Sequence, residues 1–210
     1  MAIINDIKVF FYSGIQTLPL TMGGTLLVLG FGTANYAMFS LLLGYLVLVP
    51  AIVTGFNFLF AGTDSLQGPG CGIIPGAGTY RSIISLWVSM VYFFLGYIGT
   101  NAYMIYKLDP ADDANSDKTT LRMSQCTMGM IAIAVTMVVI GIIRGLSGCE
   151  NVFLMFATAV VFASIGGGWY SLFNVGALQG GRMADLFGIA NRLLSPSAFV
   201  NEPVGCVPIA

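Results

Sequence analysis

Chemistry in this chain would have to come from four cysteines, one acidic run and one glycine-rich run, because histidine is absent. Without imidazole, the commonest general base, metal ligand and neutral-pH switch is missing. Cys71, Cys126, Cys149 and Cys206 contain no C-x-x-C pair, so a thiolate metal site is not indicated. Asp109, Asp112, Asp113, Asn115 and Asp117 look superficially like calcium ligands. The order D-x-[DN]-x-[DN]-G and the closing Glu are missing, so the run reads as a hydrated acidic loop. The segment AGTDSLQGPGCGIIPGAGTYR holds six glycines, Gly62 to Gly78, with Pro69 and Pro75. Such backbone can cradle a phosphate or line a pore. Here no Lys follows the glycines and no G-x-x-x-x-G-K-[ST] pattern occurs. The expectation is a close-packed loop, partly re-entrant, with neither regular helix nor strand. Serine and cysteine nucleophiles lack a histidine partner, and no obvious carboxylate pair falls within the apolar runs. The sequence predicts no catalytic residue, no cofactor, no metal site and no enzyme.

The elements that would position these residues are dictated by hydropathy. Between Lys8 and Asp64 lie 55 residues without Asp, Glu, Lys or Arg. About 20 apolar residues of helix cross a bilayer, so this run suits a helical hairpin of two crossings. The 210 residues are 57% hydrophobic and 8% charged, with mean hydropathy +0.87. That composition is far from the quarter or so of charged residues in soluble chains. The expected fold class is all-α, a polytopic transmembrane bundle of about five spans with amphipathic interfacial helices at both ends. The net charge is −1 and the basic residues are scattered, so nucleic acid is not an expected partner. The amino terminus shows no removable signal peptide, and no glycosylation or lipidation motif occurs.

Residues 1–14 place Ile3, Ile4, Ile7, Phe10 and Phe11 at helical spacing and read as an interfacial helix, or as the polar-tipped start of the first span. The bundle is expected over 15–175, with spans near 15–32, 36–61, 82–106, 123–143 and 152–175. Pro19 falls near the first turn of span one, and Thr33, Ala34 and Asn35 form the hairpin tip. Pro50 should bend span two, giving shape rather than a gate. Span four is closed by Arg144. Its Gly141 and Gly145 fit the small-xxx-small pattern of close helix approach, as do Ala159, Ala163 and Gly167 in span five. Gly166, Gly167 and Gly168 should loosen or end span five early. Residues 181–195 carry Met183, Leu186, Phe187, Ala190 and Leu194 on one helical face, an amphipathic helix too charged to span. Residues 196–210 contain three prolines and read as an extended tail.

Five spans put the termini on opposite sides. The amino terminus, glycine-rich loop and 145–151 loop share one side with three basic residues. The hairpin tip, acidic loop and tail share the other with five, which is therefore expected to be cytoplasmic. Cys71 and Cys149 both fall on the opposite, oxidising side, where a disulfide between them is the candidate pairing, with two unpaired thiols as the alternative.

The expected spans contain no Asp, Glu, Lys, Arg or His. Their amides and hydroxyls, among them Asn35, Asn57, Ser89, Asn101 and Thr136, serve better as contacts between helices than as a pore lining. The blocks NDIKVFFYSGIQTLPLT and TANYAMFSLLLGYLVLVP resemble the start of uncharacterised multi-span membrane proteins of nucleocytoplasmic large DNA viruses. The resemblance covers about a quarter of the chain and carries no functional residue over. It implies a structural protein of an internal virion membrane, made in host endomembranes and lying under a capsid. The expected partners are the lipid bilayer, neighbouring membrane proteins or further copies, and capsid or scaffold proteins. Docking would use Lys107, Asp112, Asp113 and Lys118 of the acidic loop together with the apolar face of 181–195. A pore subunit formed by oligomerisation is the alternative.

Overall fold

The computed structural model describes residues 13–33, 36–60, 65–67, 72–73, 80–107, 116–148 and 151–177. Among the described residues, five helices carry the fold: α1 (Leu18–Thr33), α2 (Tyr36–Leu59), α3 (Leu86–Tyr106), α4 (Ser116–Leu146) and α5 (Val152–Ala177). The protein is an all-α transmembrane bundle. Four of the described helices, α2 to α5, are long and apolar enough to cross a membrane. The 16 residues of α1 are short for a crossing at 1.5 Å each. A helical turn precedes them, with Thr17 N–H on Ser13 O and Thr21 N–H on Thr17 O, both 3.0 Å. The continuous path from residue 13 is long enough for a fifth span.

Contacts between helices fix their directions. Gly23 faces Tyr45 while Gly30 faces Met38 and Leu42, so α1 and α2 form the expected antiparallel hairpin. Gly141 faces Tyr92 and Gly99 faces Ile133, so α4 runs against α3. Gly96 meets Ala163 and Thr100 meets Gly167, numbers rising together, so α3 and α5 are parallel. The chain alternates as a five-span sequence requires. One end of the bundle carries the 1–2 hairpin tip, and the other the glycine-rich segment and the α4–α5 turn.

The core is built around α3. Trp87, Val88, Val91, Phe93 and Tyr97 have no exposed surface, and Leu41, Tyr45, Val49 and Phe162 close on them. In contrast α4 attaches along one stripe, through Ile133, Met137 and Ile140, and turns Met128, Val135 and Val138 outward. On a membrane helix that outward face is the lipid face.

Several expected boundaries are corrected. Where a bend at Pro50 was expected, the second span carries a π-helical turn, Gly44–Leu48, inside α2 just before Pro50. Proline lacks the N–H for an ordinary ladder and its ring crowds the carbonyl four residues back; one wider turn relieves both. Residues 44–48 are bracketed by α-helix at Tyr36–Leu43 and Val49–Leu59. The helix that carries the expected fourth span, 123–143, is longer at both ends, Ser116–Leu146, because helix persists where its apolar stretch stops. The triple glycine does not interrupt α5, which runs unbroken to Ala177. Span three starts at Leu86, capped by Ser85, whose Oγ accepts the Val88 N–H. The glycine-rich segment is not wholly irregular: β1 (Ser65–Gln67) pairs antiparallel with β2 (Tyr80–Ser82), in the register Leu66 to Arg81. Neither triplet contains Gly or Pro; apart from Gly62, these fall between the two strands.

Candidate functional site

At the glycine-loop end, Asn57 near the close of α2 is a clamp on the chain entering α3. Its Oδ1 accepts the N–H groups of Ile83 and Ile84 at 3.0 and 3.1 Å. Its Nδ2 donates to Ser82 Oγ and Ile84 O, both at 3.3 Å. A single amide thereby satisfies backbone that β2 and α3 leave open, as buried polar groups in lipid must be. Beside it, Trp87 Nε1 donates to Ile15 O and Gln16 O, each 3.1 Å away. Pro19 has no N–H to offer the Ile15 carbonyl four residues back, so Trp87 takes the place of that missing donor. Tyr45 adds a second tie, donating to Pro19 O at 2.8 Å.

Arg144 stacks on Trp87 with its guanidinium carbon 4.5 Å from the ring centroid, and only 3% of its surface is exposed. The sequence placed it as a polar stop after span four; the structure puts it inside the last turn of α4 and packs it in the bundle. Guanidinium is the weakly hydrated cation best suited to an aromatic face. The signal available in the sequence was a Trp at the start of one span and an Arg at the end of the next.

Nearer the hairpin-tip end a buried polar network joins α2, α3 and α5. The Ser40 and Tyr97 hydroxyls lie 2.5 Å apart and both reach the Ala37 carbonyl. Trp169 Nε1 donates to Ser40 O at 2.9 Å. Asn101 Nδ2 donates to the Tyr170 hydroxyl at 3.1 Å, and the Tyr97 and Tyr170 rings meet edge to face at 5.1 Å. Tyr92 donates to Met137 O at 2.7 Å, tying α4 to α3. Asn57 and Asn101, the amides weighed for a pore lining, are both engaged within the chain, and Asn35 lies outside the described residues.

The helix-packing candidates fall at two crossings. Ala159 is buried, and Ala163 and Gly167 lie on α3: the place of a Cβ on Gly96 is occupied by the Ala163 carbonyl, and one on Gly167 would stand 2.6 Å from Thr100 Oγ1. Gly166, beside them, backs onto the Phe93 carbonyl in the same way. These reciprocal approaches have the form of Cα–H···O contacts between close helices. Gly141 faces the Tyr92 hydroxyl, whereas Gly145 has only the Met155 and Val152 side-chain ends at 3.8 and 3.9 Å. Cys71 and Cys149 lie outside the described residues; Cys126 is buried.

Of the docking candidates, Lys107 follows α3 at the hairpin-tip end, fully exposed, its Nζ 4.9 Å from the Tyr103 ring centroid. A hydrogen bond to the Tyr103 side chain raises its pKa further, so it stays cationic. Lys118 lies in the first turn of α4. Asp112, Asp113, Met183, Leu186, Phe187, Ala190 and Leu194 lie outside the described residues, as do the 1–12 part of the interfacial helix and the tail.

Two hollows open between helices. One, of about 490 Å³, lies where α4 and α5 diverge over Gly96 and Gly99 of α3. The other, of about 320 Å³, lies between α1, α2 and α3 and is lined by Thr21, Thr25, Leu29, Met38 and Phe94 among others. Neither lining holds an ionisable acid or base of ordinary pH, and among the described residues no three His, Cys, Asp or Glu side chains gather to hold a metal. Comparison with protein-family models, curated proteins and solved structures finds no match to this chain.

Proposed function

We propose that this is a structural membrane protein, which populates and organises a specialised bilayer and docks it to an overlying protein layer. The observation that carries the reading is where the polar side chains go. Asn57, Trp87, Tyr97, Asn101, Trp169 and Tyr170 are spent joining one helix to another, as in a scaffold whose task is to hold its shape. Lys107 stands exposed at the hairpin-tip end, where the acidic loop follows it in sequence, and this is the face assigned to docking. The resemblance of residues 5–21 and 33–50 to membrane proteins of large DNA viruses supports an internal virion membrane and a capsid-side partner. The excess of basic residues at that end supports a cytoplasmic orientation.

Cross-linking mass spectrometry on the native membrane or particle tests the docking. Reproducible links from Lys107 or Lys118 to one abundant coat or scaffold protein are expected, with loss of assembly when 181–210 is removed. Links confined to copies of this chain, or ion flux in liposomes that falls with Asn57→Leu, would overturn it. The proposed orientation also places Cys71 and Cys149 in an oxidising compartment, where they form a disulfide. A maleimide mass tag on denatured protein should then reach Cys71 only after reduction; labelling beforehand removes the bridge.

A further inference from the structure

The geometry points to a bound lipid: one acyl chain of a phospholipid, from the leaflet at the hairpin-tip end, seated in the hollow between α1, α2 and α3. The hollow has a structural cause. Trp87 pins the start of α1 to α3, and Gly23 and Gly30 hold α1 against α2 along its length. On the remaining face of α1 stand Thr21, Thr25 and Leu29, one above another at four-residue spacing, opposite Phe94 and Ile98 of α3. Two threonines stand where larger side chains would close the gap.

The chemistry of the lining selects the occupant. Thr21 Oγ1 donates to Leu18 O at 2.9 Å and Thr25 Oγ1 to Thr21 O at 2.8 Å, so each hydroxyl is satisfied within its own helix. The rest of the lining is Met, Leu, Ile and Phe. A water there would lack the two to four polar partners that hold buried water. An empty hollow would forfeit dispersion contacts on every wall. At about 320 Å³ it stands at the small end of the range for organic ligands. Leu26 and Leu41 at its back are already buried, and a volume of about 320 Å³ has no room for a helix about 10 Å across. Thr21 and Thr25 are exposed on the lipid-facing surface, so the hollow continues that interface inward.

Its depth identifies the leaflet. Leu29 lies four residues and Thr21 twelve residues before the end of α1 at Thr33, or about 6 and 18 Å along the axis. Met38 and Leu41 belong to the first turns of α2, just beyond the tip. The hollow therefore runs from below the tip-side headgroups to near the bilayer midplane, the course of a single chain descending from that leaflet. This seat is independent of docking to any protein layer.

The test uses full-length protein in nanodiscs containing phosphatidylcholine with a diazirine at the middle of one acyl chain. After irradiation, labelling at residues 21–29 and 94–98 should exceed that at Val135 and Val138 on the outward face of α4. Thr25→Trp, which fills the hollow, should bring it down to the α4 level, and the milder Thr21→Leu should lower it in the same direction. Val28→Trp, on an outward face of α1, should leave it unchanged. Equal labelling at both regions in the wild-type protein, or excess labelling that survives both filling variants, would overturn the assignment.

Discussion

A single methyl group separates two glycines of α5 that the sequence cannot tell apart. Gly166 backs onto the Phe93 carbonyl of α3, while Gly168 has nothing within 4 Å of where its Cβ would stand. Gly166→Ala must push two helices apart and should cost about 1–3 kcal/mol, an overpacking penalty. Gly168→Ala should be neutral or slightly stabilising, since alanine favours helix. Equilibrium unfolding in mixed detergent micelles measures both; equal effects would mean the crossing is looser than described. Trp87→Phe keeps an aromatic face for Arg144 but removes the donor to Ile15 O and Gln16 O. The same assay should show a loss of about 0.6–2 kcal/mol, the range for hydrogen bonds between membrane helices. None of these partners was legible in the sequence. Ile15 and Trp87 are 72 residues apart, Ser40 and Trp169 are 129, and hydropathy reports composition along the chain rather than pairing across it.

Elements were far more legible than contacts, and the errors share a cause. Charge-free runs gave the five spans and the hairpin, because the cost of an ionised group in lipid is large and local. The extent of α4 was missed for the same reason: Arg144 was read as closing span four, yet the helix runs past it to Leu146. The triple glycine was misread from its backbone freedom, which close packing on α3 overrides. The connection from α4 to α5 shows local rules succeeding. Gly148 takes φ 66°, the left-handed conformation that ends a helix, and the Asn151 side chain accepts the Phe153 N–H at 2.9 Å to start the next. Gly148→Ala meets no neighbour, so its cost is backbone strain alone, about 1–2 kcal/mol. Asn151→Ala should cost about 0.5–2 kcal/mol through the lost cap. Thermal unfolding in detergent checks both, and Asn151→Asp should recover most of the second loss.

For the molecule as a whole, attachment is uneven. The α3–α5 pair is sealed by small residues and by aromatic and amide contacts, whereas α4 is held along one stripe, by the Tyr92 bond to Met137 O at midspan and by Arg144 on Trp87 at its end. Tyr92→Phe should therefore loosen α4 selectively. Hydrogen exchange in micelles should rise along 125–141 and stay unchanged in 152–177. A rise shared by both helices would mean that the bundle opens as a unit. Polarity in the sequence marked residues able to join helices, but not which helix each would choose. Asn57 was legible as glue, and its choice of Ile83 and Ile84 was not.

The Trp87 tie also sets an order for biogenesis. Pro19, at the start of the first span, leaves a carbonyl whose donor is encoded in the third, so the hairpin enters the bilayer with that group unmet. The first two spans are thus an incomplete insertion product until translation delivers Trp87. A ribosome stalled before residue 87 would hold a hairpin exposed to membrane quality control, and passage of that one indole would mark the point at which the nascent protein becomes committed to the membrane.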